Sequence, residues 1–236
     1  MLTFIFKKDK ALADHYFKIY DTNGLKIKLT FCIITLILIF SVFNPVTSDY
    51  LISIKNQYKL ISIDNLFDYT IPLLSSFIIF IVFYNDYKDS AYKYLMFLNK
   101  NKFNYVMLKR YLIYTIVFCI GTFISGVFYY RNISFLDTTN LLLSLRFIPN
   151  ILFLSSFLLC MTSLTKNNYF GLLITLTYFS GDLLSGGRLF YIFSIGAHSN
   201  NFYYIISPEY YFLNRIILIL LTVTFIYLSC KNRIIK

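Results

Sequence analysis

Apolar residues are gathered into six long runs that are separated by polar and charged segments. Each run approaches the ~20 residues that a helix needs to cross roughly 30 Å of hydrocarbon. The alternating pattern of outer-membrane β-strands does not occur. We therefore predict an all-α membrane protein that forms a single transmembrane domain over residues 1–236. The six predicted spans cover residues 27–45, 69–85, 111–130, 145–165, 168–187 and 212–230.

Two of the runs contain residues that are unusual inside a transmembrane helix. Pro149 lies near the start of the fourth run, where a helix tolerates proline best. Asp182 and the Gly186-Gly187 pair lie near the end of the fifth run, where an ionisable group pairs with another or faces water. The fourth span is thus expected to begin near Pro149, and the fifth span to end near Asp182 and the glycine pair.

Composition agrees with a bilayer environment. Of the 236 residues, 58% are hydrophobic and only 14% are charged, and the mean hydropathy is +0.64. The net charge of +11 could indicate nucleic-acid binding, but in a membrane protein basic residues usually mark cytoplasmic loops. We expect no nucleic-acid partner. The four cysteines and two histidines have neither metal-ligand nor disulfide spacing, so we expect no metal site.

The distribution of basic residues orients the predicted bundle. Most of the 22 lysines and arginines lie in segments that share one side of the membrane if both termini are cytoplasmic. Such an excess is typical of the cytoplasmic side. The sequence therefore predicts a multi-pass membrane protein with both termini inside the cell. The abundance of Ile, Lys, Asn, Tyr and Phe and the absence of Trp fit an AT-rich bacterial genome, so we expect a bacterial cytoplasmic membrane.

Two of the inner segments have an amphipathic pattern. Residues 1–26 predict an interfacial helix that lies along the inner membrane surface. In the segment 86–110, apolar and aromatic residues recur on one helical face, while lysines and polar residues occupy the others. This second helix could lie among lipid headgroups or could dock a cytoplasmic partner. Periodicity alone does not separate these two interpretations.

The layout resembles the membrane subunit of an ABC-2 type ABC transporter. In that family the second span is followed by an acidic residue, a small-residue pair, an apolar patch and basic residues. Here Asp86 matches the acid, Ser90-Ala91 the pair, residues 95–98 the patch, and Lys109 the final lysine. Asn99 stands where that family often has proline.

The resemblance implies a role for the segment that follows the second span. It would be a coupling helix that docks a separate cytoplasmic ABC ATPase. Two ATPase copies, with their ATP and Mg²⁺, and a second copy or paralogue of the permease would complete the transporter. The implied docking residues are Asp86, Lys88, Asp89, Lys93, Tyr94, Leu95, Phe97 and Leu98.

The chain lacks the sequence needed to bind ATP by the usual loop. The nearest approach to G-x-x-x-x-G-K-[ST] runs from Gly181 to Arg188, which lacks the lysine and the hydroxyl. We therefore expect a permease subunit that is not an enzyme and has no cofactor of its own. A stand-alone immunity or receptor-like membrane protein is the alternative.

Polar residues near the outer ends of the fourth and fifth spans form the remaining candidate site. Arg146, Asp182 and Arg188 could make an interfacial ion pair or line the outer end of a substrate path. Residues 188–211 resemble the re-entrant outer segment of ABC-2 exporters, and an ordinary extracellular loop is the alternative. The scarcity of ionisable groups within the spans favours a peptide or other amphipathic cargo.

Overall fold

The computed structural model describes residues 24–46, 65–88, 103–132, 135–196 and 209–231, and the regular structure in these ranges is entirely helical. The predicted all-α class is therefore confirmed. One π-helical turn covers Asn65–Thr70, and one 3₁₀ turn covers Tyr191–Phe193. The helices are α1 (Leu25–Phe43), α2 (Ile71–Tyr87), α3 (Phe103–Tyr129), α4 (Thr138–Leu145), α5 (Ile148–Thr165), α6 (Asn168–Ser185) and α7 (Glu209–Lys231).

Within the described chain, five helical segments are long and apolar enough to cross a membrane. They are Leu25–Phe43, Leu66–Tyr87, Val106–Tyr129, Asn140–Thr165 and Tyr210–Lys231. Each overlaps a predicted span. The predicted fifth span is the helix α6, but its Asn, Thr, Ser and Asp residues make it less apolar, and it is not among the five. The sixth crossing and the cytoplasmic termini stay predictions.

The segment Asn140–Thr165 forms the centre of the bundle. It is 67% buried, whereas the peripheral helix α1 is 17% buried. Its second helix, α5, packs against α2, α6 and α7. Small hydroxyl residues on α5 allow neighbouring helices to approach closely: Ser163 donates to the Ser229 carbonyl of α7 at 3.2 Å, and Ser155 Oγ lies 3.1 Å from the Tyr111 hydroxyl of α3.

A tight turn joins α5 to α6. Lys166 ends α5 in the left-handed conformation, and the Asn167 side chain caps α6 by accepting the backbone N–H groups of Tyr169 and Phe170. The two helices nearly touch at Gly171, where a Cβ atom would lie 2.3 Å from Thr162 Oγ1 and 2.8 Å from its backbone nitrogen. Only glycine permits this contact.

The outer faces of the bundle are apolar. On α7, the exposed residues follow helical periodicity and form a continuous stripe. Monomeric soluble proteins rarely expose an apolar surface of this extent, but lipid tails cover it without cost. The structure therefore supports a membrane protein. The stripe consists of Phe212, Ile216, Leu220, Val223 and Tyr227.

Three predicted segments lie wholly or partly outside the described residues. Of the predicted interfacial segment 1–26, the structure describes only residues 24–26. It describes residues 188–196 and 209–211 of the outer segment 188–211. In the segment 86–110 it describes residues 86–88 and 103–110.

Candidate functional site

Two groups of buried polar side chains lie at opposite ends of the span Leu66–Tyr87. Asp68 stands at the start of this span and Asp86 at its end, and both side chains are fully buried. A rise of about 1.5 Å per residue places them about 27 Å apart, close to the thickness of the hydrocarbon core. Ionisable groups at such depths pair with one another or mark functional sites.

The first group is the Asp86 pair, formed by Asp86 and Arg110. Nη1 of Arg110 lies 2.7 Å from Oδ2 of Asp86, and Nη2 donates to the Val82 carbonyl at 2.6 Å. The guanidinium carbon lies 5.0 Å from the centroid of the Phe83 ring. Lys26 donates to the same Val82 carbonyl at 2.8 Å. Two cations thus share one backbone carbonyl in the C-terminal half of α2.

The Asp86 pair connects the two ends of the segment 89–102. Asp86 lies in the last turn of α2, and Arg110 lies in the early part of α3. Because the pair is buried and also bonded to the backbone of α2, it holds the two helices together at this point. The pair therefore joins α2 to α3 on the two sides of the segment 89–102.

Of the eight predicted docking residues, the structure describes two. Asp86 is buried against Arg110, so its carboxylate lies away from the surface that a partner could contact. Lys88 is exposed, and its Nζ lies 6.0 Å from the centroid of the Tyr84 ring. The other six lie outside the described residues, and their docking role stays a prediction. They are Asp89, Lys93, Tyr94, Leu95, Phe97 and Leu98.

Basic residues of the described chain are concentrated at the end of the bundle that contains the Asp86 pair. Lys166, the residue after α5, lies at this end of the bundle, and its partial burial lowers its pKa. The charge asymmetry of the sequence is thus also a spatial asymmetry. The residues at this end are Lys26, Lys28, Lys88, Lys109, Arg110, Lys166 and Lys231, and those at the opposite end are Arg131, Arg146, Arg188 and Arg215.

The second group, which we call the Asp182 cluster, lies at the opposite end. Its side chains come from the π-helical turn, the α4–α5 junction, α6, the turn after α6 and α7. All are buried. The cluster consists of Asp68, Tyr69, Arg146, Asn150, Asp182, Ser194, Asn214 and Arg215.

Asp182 anchors the turn that follows α6. Its Oδ2 accepts hydrogen bonds from the Tyr69 hydroxyl at 3.1 Å, the Ser194 hydroxyl at 3.0 Å and the Ile195 backbone N–H at 3.0 Å. The backbone N–H of Gly196 lies at 3.4 Å. One carboxylate therefore ties this non-helical turn both to α6 and to the start of the second span.

Two asparagines satisfy the carbonyl groups of the same turn. Nδ2 of Asn150 donates to the Ile195 carbonyl at 2.7 Å and to the Asp68 carbonyl at 3.4 Å. Nδ2 of Asn214 donates to the Ser194 carbonyl at 2.9 Å. Non-helical backbone at membrane depth is stable only where protein or water satisfies its polar groups. In this turn, side chains from α5, α6 and α7 form the hydrogen bonds to the backbone groups.

Arg215 completes the cluster from α7. Its Nη1 donates to Oδ1 of Asn150 and, at 3.3 Å, to the Ile195 carbonyl. The guanidinium carbon lies 4.6 Å from the centroid of the Tyr211 ring. Arg215 is only 7% exposed.

The predicted ion pair between Asp182 and an arginine is wrong. Arg146 lies 3.5 Å from Oδ2 of Asp68 instead, and Arg188 is exposed. The second span was predicted to start at residue 69, but its helical structure begins at Asn65. Asp68 therefore lies within the helical structure, where it is buried against Arg146. The turn after α6 folds back and supplies Asp182 with hydrogen-bond donors. Of the predicted outer-path residues, the structure brings Arg146 and Asp182 into one cluster and leaves Arg188 outside it.

Sequence reasoning did not assign a site role to several residues that the structure brings together. Each is a polar residue near the end of an apolar run, and that position was the only available signal. Nothing in the spacing along the chain indicates which pairs meet. The missed residues are Asp68, Arg110, Asn150, Asn214 and Arg215.

No protein-family model, curated protein or solved structure matches this chain. The resemblance to ABC-2 permeases therefore stays a prediction that depends on the layout of the sequence.

Proposed function

We propose that this chain is the membrane subunit of an ATP-driven exporter of the ABC-2 kind, with six spans and cytoplasmic termini in a bacterial cell membrane. The segment 86–110 docks a separate ATPase subunit, which carries ATP and Mg²⁺. Two permease chains and two ATPase subunits form the complete transporter, and this chain itself catalyses no reaction.

The observation that supports this proposal is the Asp86 pair. A coupling segment must pass a movement of the ATPase to the spans on both of its sides. The 2.7 Å contact between Asp86 and Arg110 links those two spans at the base of the segment. The link is buried, so salt screens it less than a solvent-exposed ion pair.

The interior of the described spans supports an amphipathic cargo, such as a peptide. Ionisable residues lie near the ends of these spans, in the Asp86 pair and the Asp182 cluster. Between them, the described helices bury apolar, aromatic and small hydroxyl side chains such as Phe118, Leu158 and Ser156. A bare ion would find few groups there to replace its water, whereas an apolar surface suits a membrane-active molecule.

The test is copurification with an ATPase. We would isolate the tagged full-length chain from its native membrane and measure ATP hydrolysis in the preparation for the wild type, Leu95→Asp and Tyr92→Asp. Leu95 lies on the predicted docking face and Tyr92 on another face of the same helix. An unpaired charge in an apolar groove should cost several kcal/mol, so Leu95→Asp should lose the ATPase and Tyr92→Asp should keep it.

Equal ATPase activity with Leu95→Asp and the wild type would contradict docking through this face. A wild-type chain that copurifies with no ATPase would favour the alternative, a stand-alone immunity or receptor-like membrane protein.

A further inference from the structure

The span Leu66–Tyr87 and α6 are joined by side chains near the end of the bundle where basic residues are concentrated. Nδ2 of Asn168, the first residue of α6, donates to the Phe80 carbonyl at 3.0 Å, and Asn168 is only 3% exposed. The hydroxyls of Tyr84 and Tyr169 lie 2.9 Å apart. We call these two hydrogen bonds the Asn168 contact.

The same two helical segments are joined again near the opposite end. The Tyr69 hydroxyl donates to Oδ2 of Asp182 at 3.1 Å, and both side chains are buried. The rings of Tyr69 and Phe179 lie 5.7 Å apart in an edge-to-face arrangement. We call these two interactions the Tyr69 contact.

The two contacts are separated by similar lengths of helix on both segments. Tyr84 lies 15 positions after Tyr69, and Asp182 lies 13 positions after Tyr169. At about 1.5 Å per residue, these separations are about 22 Å and about 20 Å. The similar lengths allow both contacts to form while the helices lie side by side, and both helices also pack against α5.

This helix pair connects the predicted docking segment to the turn after α6. One of its helices, α2, ends at Tyr87, shortly before the segment 89–102. The other carries Asp182, which accepts the backbone N–H of Ile195 in that turn at 3.0 Å. A single contact would let the two helices pivot about it, whereas two contacts about 20 Å apart oppose pivoting.

We propose that the span Leu66–Tyr87 and α6 act as one unit that couples the segment 89–102 to the turn after α6. Asn168 touches neither of these regions, so it is a positioning residue that acts by holding α6 against α2. The coupling rests on the proposed function only for the source of the movement, which is the ATPase. The link between the two ends is a property of the chain itself.

The first test uses the purified full-length chain without an ATPase. Hydrogen exchange followed by mass spectrometry reports on the backbone N–H groups of Ile195 and Gly196, which donate to Asp182. Asn168→Ala removes the side-chain donor at the opposite end and keeps a residue that favours helix. We expect it to accelerate exchange at Ile195 and Gly196 about three- to tenfold, the factor that corresponds to one lost hydrogen bond.

The coupling should also be visible in the reverse direction, because coupling between two sites is reciprocal. Tyr69→Phe removes the hydroxyl that donates to Asp182 and keeps the ring. It should accelerate exchange of the backbone N–H groups of Tyr169 and Phe170, which donate to the Asn167 side chain in the first turn of α6. The factor should be similar to that of Asn168→Ala at the other end.

Tyr111→Phe is the matched control. It removes a buried hydroxyl that lies 3.1 Å from Ser155 Oγ, between α3 and α5, and it leaves both contacts of the helix pair intact. Exchange at Ile195 and Gly196 should stay within about twofold of the wild type, as expected for a distant, independent site. A second variant, Tyr169→Phe, deletes only an exposed hydroxyl of the Asn168 contact and should accelerate exchange less than Asn168→Ala.

Two results on the isolated chain would overturn the proposal. One is acceleration in Tyr111→Phe equal to that in Asn168→Ala, which would indicate a general loosening of the bundle. The other is an effect of Asn168→Ala and Tyr169→Phe that stays confined to the first turn of α6. If Asn168→Ala does not fold, Tyr169→Phe and the reverse measurement with Tyr69→Phe decide the outcome.

A second measurement separates this coupling from the proposed function. In a complex of the chain with its ATPase, ATP should change exchange at Ile195 and Gly196 in the wild type and change it less in Asn168→Ala. Unchanged exchange in a wild-type complex that hydrolyses ATP would overturn the coupling and leave the docking proposal standing. If no ATPase copurifies, the proposed function fails, and the measurements on the isolated chain still decide whether the two ends are coupled.

Discussion

The guanidinium of Arg110 lies 2.7 Å from the carboxylate of Asp86, and this contact joins the end of one apolar helix to the start of the next. Both side chains are buried, and Arg110 also donates to the Val82 carbonyl. Because both charges are removed from water, the pair is sensitive to the loss of one partner alone. Substitutions of Asp86 and Arg110 therefore test directly whether α2 and α3 make this contact.

We predict that Asp86→Asn or Arg110→Gln lowers the free energy of unfolding by about 3–5 kcal/mol, because each removes the opposite charge that the other side chain contacts in the interior. The double variant Asp86→Leu/Arg110→Met should lose less than either single variant. Unfolding in detergent, followed by circular dichroism, measures these losses. Lys88→Gln, at an exposed site, should stay within about 0.5 kcal/mol of the wild type. If the double variant loses as much stability as the two single variants together, the two residues are not coupled.

Asn150 should be indispensable to the Asp182 cluster. Asn150→Leu removes the acceptor of Arg215 Nη1 and the donor to the Ile195 carbonyl. The two groups then keep only the 3.3 Å hydrogen bond that joins them to each other. A poorly satisfied buried polar group costs about 1–3 kcal/mol, so we predict a marked loss of stability in the same unfolding assay. Asn44→Leu, at an exposed asparagine after α1, should have a small effect. Equal stability of the two variants would contradict the described hydrogen bonds.

A single methyl group at residue 171 should disturb the packing of α5 against α6. In Gly171→Ala the new Cβ would meet the backbone of Thr162, which cannot move aside as a flexible side chain can. We predict a loss of about 1–3 kcal/mol, typical of overpacking. The matched variant is Gly181→Ala on the same helix, whose Cβ would lie 3.4 Å from the Phe190 ring, an ordinary contact. Similar melting temperatures for both variants would place the helices farther apart than described.

Topology can be tested by cysteine labelling in intact cells. In a background without the four native cysteines, a cysteine at Lys100 should not react with an impermeant thiol reagent, because the basic segment around it is predicted to be cytoplasmic. A cysteine at Ser199, in the predicted outer segment, should react. Labelling at residue 100 without labelling at residue 199 would reverse the orientation.

Hydropathy alone was sufficient to locate the five described helical segments that are long and apolar enough to cross a membrane. The bilayer requires long apolar segments whose backbone groups are satisfied within the segment, so a span can be recognised without knowledge of its neighbours. Pro149 behaves as expected, because it stands in the first turn of α5, where its missing N–H is not needed. The short helix α4 before it was not predicted, since its eight residues are too few for a span.

Pairing within the buried clusters was decided only by the tertiary structure. The sequence marked Asp182 as a residue that needs a partner, and the assumption of an arginine was wrong because hydroxyl and backbone donors surround the carboxylate. Arg110 was counted only as a basic residue, although it lies against Asp86. Polar residues at the ends of different spans can be paired in many ways along a chain. Which of them meet depends on how the helices pack, and small contacts such as Gly171 against Thr162 determine that packing.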